Sequence, residues 1–350
     1  MAAAQQQKHP PRFSTENNLG LDLTWMNAVS QWGTRARPTE NGLTLGAINL
    51  GVYGEIPEVY ANDSEMARGS IPRPGAIGVG NPVREKAEVW TDDVPDLYEE
   101  SIRRRWRPSL DIPWETIAPL SPELELATAQ FVTVLSENAL VCLDVIARWL
   151  REISYGFHEV KLLMAVQEFE AGRHFEAFRK RAVVNGGRLG FESSGKFLRL
   201  LCDSKTFNET SMLLHITHAS FARTLYNAGA KFSSSEGDRT LFTLCAADME
   251  RWLAYGTVRL RGMLENKPDR REQVHSYLLR GEIALTEDWH RDTPFREALA
   301  VLLGGGLAGV GEGPKRVGEL RSRQVDDYLE QLDQASLPER RERIFPGLRT

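Results

Sequence analysis

Four stretches of the chain, at about 122–151, 158–184, 204–229 and 237–265, carry apolar residues three and four positions apart. That spacing lines one apolar stripe along a helix, and segments of this length exceed ordinary strands. The separators are small or polar: ISYG, then NGGRLGFESSG, then AGAKFSSSEGD, with ENKPDRR after the fourth stretch. Each stripe must find a partner. The short first and third connections favour antiparallel neighbours, whereas the second is long enough to cross the end of a bundle. The pattern predicts an all-α fold with a four-helix bundle over 122–265.

The flanks differ in character. Residues 1–90 are rich in Gly, Pro, Asn and Ser, as in IPRPGAIGVGNP, without a sustained helical period. They are expected to form an irregular, partly disordered N-terminal extension, lying over the bundle or over a neighbouring subunit. Residues 91–121 hold a short helix, VPDLYEESIRRRW, and a Pro-punctuated connector, DIPWETIAPLSPELE. Residues 266–350 are expected to pack as satellite helices at about 270–290 and 314–334, with a small piece at Phe295–Leu303. No unit repeats at solenoid spacing.

Apolar content of 41%, charged content of 26% and a net charge of -5 are those of an ordinary globular protein. They offer no basic excess for nucleic acid and no clustered cations for an anionic membrane. The Arg103, Arg104, Arg105, Arg107 run reads as solvated helix surface. The first residues lack an apolar leader, and ALAVLLGGGLAGVG (298–311) is too short and glycine-rich to span a bilayer. The expectation is a cytoplasmic protein with neither nucleic-acid nor membrane partner. Cys142, Cys202 and Cys245 are odd in number and widely spaced, and read as buried structural thiols. GGGLAG (304–309) fits G-x-G-x-x-G but follows no strand, so it reads as a turn. EDWHRD (287–292), with His290, reads as a solvated helix terminus.

The second long segment reads AVQEFEAGRHFEAFRKRA and the fourth reads CAADMERWLAYG. Glu170-Ala171-Gly172-Arg173-His174 and Asp248-Met249-Glu250-Arg251-Trp252 occupy equivalent places in the two. Both resemble the D-E-x-R-H stretch of the ferritin-like di-iron carboxylate proteins, a group that includes the small subunit of ribonucleotide reductase and the ferritin-like hydroxylases. The resemblance covers about 120–265. It implies a ferritin-like bundle in which the Glu and the His three residues later are metal ligands on one helix face. The preceding acids, both arginines and Gly256 match the pattern. One more Glu is implied on each of the first and third helices. Glu137 precedes Ala171 by 34 residues, and His215 precedes Met249 by the same 34. The six implied positions are therefore Glu137, Ala171, His174, His215, Met249 and Trp252, where the family carries Glu, Glu, His, Glu, Glu and His.

The departures bear on chemistry. A metal pair needs carboxylates both as ligands and to neutralise its charge in a low-dielectric core. Ala171 and Met249 supply neither, and Trp252 fills space with an indole N–H that can only donate. A standard di-iron centre is therefore not expected. Two arrangements remain for the other residues. In one, an internal hydrogen-bond network lets Glu137 and His174 satisfy each other. In the other, a rearranged mononuclear or dinuclear iron or manganese site uses Glu137, His174 and His215, with Glu170 as auxiliary ligand or base. His218 reads as partly exposed surface, and Glu209 as an acid near a helix start. The functional expectation is a ferritin-like protein that has lost its metal centre, carries no cofactor, and serves as a homodimeric scaffold, a partner protein or a binder of a small organic ligand. The alternative is an oxidoreductase that activates dioxygen at a rearranged site.

Overall fold

The computed structural model describes residues 14, 16–27, 35–50, 54–60 and 83–349. Met1–Glu55 and Ile56–Thr350 form two compact units. Within the first, the described residues include a 3-10 turn, Thr24–Asn27, and a one-turn helix, Leu45–Ile48, whose Thr44 side chain accepts from the Ala47 N–H. Part of the irregular extension expected over 1–90 lies outside the described residues.

The second unit is helical. Helix α1 is Val94–Arg103, α2 is Pro122–Glu152 and α3 is His158–Val183. A short helix, α4 (Lys196–Cys202), lies within the long crossover. Phe207–Ser211, a π-helical stretch Met212–His218 and Ala219–Phe232 then run on as one rod, α5. Helix α6 is Glu236–Asn266, α7 is Arg271–Arg291, α8 is Thr293–Gly304 and α9 is Gly313–Gln334. Among the described residues the only β-pairing is isolated bridges, such as Val83 with Ile153. The all-α, four-helix expectation holds: α2 packs along α3, α5 along α6, and α3 meets α6.

The ends of these helices follow from local chemistry. Pro122 opens α2 where a missing N–H costs nothing, and Glu123 and Glu125 meet the positive end of the dipole. Ser235 caps α6 by accepting from the Asp238 N–H. The GGGLAG segment is the turn after α8: Gly305 (φ 75°) and Gly306 (φ 108°) adopt left-handed conformations that a side chain would strain.

One core runs through the bundle and α8. A second, with Met212, Ile216, Leu260, Val274, Leu278, Val325 and Tyr328, joins α5, α6, α7 and α9. Helix α2 is long and apolar enough to cross a membrane, but 67% of its apolar window is buried inside the protein. Arg103, Arg104, Arg105 and Arg107 are exposed, as expected. Cys142 and Cys245 are buried, but Cys202 is exposed because it ends the short α4. EDWHRD is not simply solvated. Asp288 accepts from the Lys196 and Phe197 N–H groups and Asp292 from the Ser194 N–H, so this end of α7 caps the start of α4.

Candidate functional site

Helix α3 is unusual in what it buries: Gln167, Glu170, Arg173 and His174 all face the interior together with Ala171. A helix can bury such groups only if each meets a partner. Helix α6 supplies them with Asp248, Arg251 and Trp252, which are also buried. The two motif stretches exchange partners across the bundle. Arg251 donates to Glu170 Oε1 at 2.7 Å, and Arg173 to Asp248 Oδ2 at 3.0 Å. Each arginine also pairs with the acid three residues before it, Arg251 with Asp248 and Arg173 with Glu170. When Glu170 is ionised, two carboxylates and two guanidiniums balance in charge.

Further donors complete the cluster. Trp252 Nε1 donates to Glu170 Oε2 at 2.8 Å, and Trp106 Nε1 to Asp248 Oδ2 at 3.0 Å. His174 Nε2 lies 3.0 Å from the same Asp248 oxygen, and Arg251 Nε donates to Ser101 Oγ at 3.0 Å. Burial and the nearby Asp248 charge push the Glu170 carboxyl up to about 7. Burial acts upward on Asp248 too, but the His174 hydrogen bond and the charges of His174, Arg173 and Arg251 hold it below the usual carboxylate range. Burial lowers His174, against the pull of Asp248.

His215 belongs to a second, uncharged chain of contacts. Its Nε2 meets Gln167 Oε1 at 3.0 Å and its Nδ1 meets Ser211 Oγ at 3.0 Å. The Gln167 carbonyl can only accept, so Nε2 carries the proton and Nδ1 accepts from the Ser211 hydroxyl. Ser211 in turn accepts from Arg259 Nε at 2.9 Å. Burial, helped by Arg259, pushes His215 down to about 3. With both ring nitrogens engaged, this imidazole offers no free lone pair to a metal.

Of the six implied ligand positions, His215 and Trp252 lie close, with ring centroids 6.2 Å apart, but the side chains present do not form a ligand set. Ala171, Met249 and Trp252 are packed in the bundle core. Glu137 is half-buried and does not reach His174; among the described residues it makes no hydrogen bond or ion pair. The expected Glu137–His174 contact is replaced by Asp248–His174, because the acid preceding the motif turns inward across the bundle. Glu170 and His174 do share one network, but their partners are arginines, a tryptophan and Asp248. Among the described residues no group of three or more His, Cys, Asp or Glu is placed to hold a metal ion. These residues do not fit a metal pair.

His218 is buried rather than partly exposed, stacked on Phe197 with ring centroids 6.5 Å apart. Glu209 sits in the first turn of Phe207–Ser211 as expected, and accepts from the Lys205 N–H at 2.9 Å. Sequence reasoning missed Trp106, Gln167 and Arg259, which complete the two networks. It also missed Arg321 and Gln324, buried on α9. Their signal was present: both fall at the helical phase of Val317, Leu320 and Tyr328, where a charge or amide is out of place.

No family model and no curated protein sequence matches the chain. Among solved structures, a variant of an R2-like ligand-binding oxidase with an aerobically reconstituted Mn/Fe cofactor is similar at 16% identity and a TM-score of 0.40. The similarity covers 72% of this chain and 93% of that one. A likeness of this degree assigns neither metal nor ligand to this protein.

Proposed function

We propose that this bundle works without a metal pair, as a binder of a small organic molecule or as a partner protein, and not as an oxidoreductase activating dioxygen. One observation carries the reading: the buried, charge-balanced cluster of Glu170, Arg173, Asp248 and Arg251. A dinuclear centre needs surplus negative charge and free carboxylate oxygens. Here two guanidiniums already supply the positive charge, and the Trp252 and Trp106 indoles take up further oxygen lone pairs. Inserting a metal would place it beside Arg173 and Arg251, in a low-dielectric core where like charges repel strongly. Against a rearranged site built on Glu137, Glu170, His174 and His215, the Glu170, His174 and His215 side chains already hold other partners: Arg251 and Trp252, Asp248, and Gln167 with Ser211.

The test is metal content after expression in medium supplemented with iron and manganese, comparing the wild type with His174→Ala. Both are expected to carry far less than one metal per chain. About one or two ions per chain in the wild type, lost in the variant, would overturn the reading.

A further inference from the structure

Outside the charge cluster, α2, α5, α7 and α9, with α4 and the start of α8, line a partly open cavity of about 100 Å³. Its wall is largely apolar, with Val134, Leu135, Phe221, Leu225 and Phe295, yet it also includes Arg321 and Gln324. Arg321 is only 3% exposed. Its Nε donates to the Leu348 carbonyl at 3.0 Å, and its guanidinium lies 4.8 Å from the Trp289 ring centre and 5.1 Å from that of Phe221. Its Nη2 is buried with no hydrogen-bond partner, and so is Gln324 Oε1.

A comparison within the molecule shows what Arg321 lacks. Arg173, Arg181, Arg251 and Arg340 are buried to a similar degree, and each holds a carboxylate. Arg259 has no carboxylate, but it donates to Ser211, Asn208 and the Glu88 carbonyl. Arg321 has one backbone carbonyl and two aromatic faces, and among the described residues no carboxylate pairs with it. Burial lowers its pKa to about 10, which still leaves it cationic at neutral pH. A buried cation without a counter-ion is expensive, and a ligand that supplies the anion recovers that cost.

We propose that this cavity binds a short-chain organic monocarboxylate, its carboxylate paired with Arg321 and its hydrocarbon chain lying against the apolar wall. Size limits the chain: an apolar cavity of ~150 Å³ holds benzene, so about 100 Å³ suits roughly three to five carbons. Charge limits it to one anionic group. Asp288 and Asp292 also line the cavity, but their oxygens accept from the Ser193 and Ser194 hydroxyls and the Ser194, Lys196 and Phe197 N–H groups, which offset their charge, and the single cation Arg321 leaves a place for one anionic group only. His218, on the same wall, is neutral at neutral pH, because burial pushes it down to about 4. The proposal deepens the ligand-binding reading, but it concerns a site apart from the charge cluster. Finding bound metal would overturn that reading and leave this one standing.

The experiment is calorimetric titration of the full chain with sodium butyrate, with butyramide and sodium chloride as comparisons at matched ionic strength. Two variants accompany the wild type: Arg321→Met, which keeps the bulk and removes the charge, and Ala222→Leu, which fills the cavity and keeps Arg321. Saturable butyrate binding is expected in the wild type, weakened at least about tenfold in butyramide and in each variant, with no effect of chloride. Circular dichroism checks folding; Arg321→Met is expected to unfold no more easily than wild type without ligand, because a costly cation is gone. If it does not fold, butyramide and Ala222→Leu decide the matter. The proposal is overturned by absent butyrate binding, by unchanged affinity in folded Arg321→Met, or by equal binding of butyramide.

Discussion

At the scale of single residues, Asp248 holds the charge cluster together. Its two oxygens receive Trp106, Arg173 and Arg251, and His174 lies against one of them. Replacing it with Leu leaves two buried guanidiniums sharing Glu170, and breaking a buried pair in this way costs about 3–5 kcal/mol. Urea denaturation of Asp248→Leu should therefore show a loss of that size; a loss under about 1 kcal/mol would mean that the cluster is not closed as described. Trp252→Phe tests the other carboxylate, because it keeps the ring and removes the N–H donated to Glu170 Oε2. A loss of about 1–3 kcal/mol is expected in the same assay. The motif acids and arginines were legible in the sequence. Their partners were not, because reciprocal pairing between residues about 80 positions apart depends on the rotation of α3 and α6 about their axes.

At the scale of elements, the π-helical stretch Met212–His218 of α5 packs against α6. A Cβ on Gly256 would lie 2.6 Å from His215 Cβ and 3.0 Å from its carbonyl oxygen, so only glycine lets the two helices meet there. Gly256→Ala is expected to destabilise the protein by about 1–3 kcal/mol through overpacking. A methyl group at Gly262, further along the same helix, would meet nothing within 4 Å. Gly262→Ala should therefore stabilise by about 0.5–1 kcal/mol, as alanine restricts the unfolded chain and favours the helix. Opposite signs in thermal unfolding separate helix propensity from close packing. Two substitutions of equal sign would refute this account of the α5–α6 contact. The sequence showed Gly256 in the right place within the motif. It could not show the reason, since a π turn arises from packing and leaves no mark in apolar spacing.

At the scale of the whole molecule, burial of histidines couples stability to pH. His215 and His218 are pushed down to about 3 and 4 by burial, and His174 and His275 are lowered for the same reason. Between those values and 6.5 the unfolded chain binds more protons than the folded one. Stability therefore rises with pH up to about 6.5 and is lost as pH falls. Glu170 and Glu88, both raised by burial, act in the opposite sense above about 4.5, since their folded forms hold the proton longer. His158, raised by its Glu159 hydrogen bond, also acts in the opposite sense; each group contributes at most about 1.4 kcal/mol per pH unit, and the four lowered histidines outnumber these three raised groups. The unfolding midpoint should fall between pH 6.5 and pH 5, and His215→Gln should flatten that slope by up to about 1.4 kcal/mol per unit. An unchanged slope would show that His215 is not held neutral by burial.

The sequence alone determined the helical architecture. Three- and four-residue apolar spacing and short polar breaks are local properties, and every long segment they mark is a helix in the structure. The sequence also showed Ala171, Met249 and Trp252 where the resemblance implies Glu, Glu and His, and a methyl group, a thioether or an indole differs chemically from those ligands whatever the packing. Tertiary structure decided everything that depends on pairing. It turned Asp248 and not Glu137 toward His174, closed Arg173 and Arg251 onto the opposite acids, and left Arg321, in a largely apolar cavity, with no carboxylate paired to it among the described residues. Hydrogen bonds and ion pairs act over a few ångströms, so which groups meet is set by how helices far apart in the chain rotate and approach.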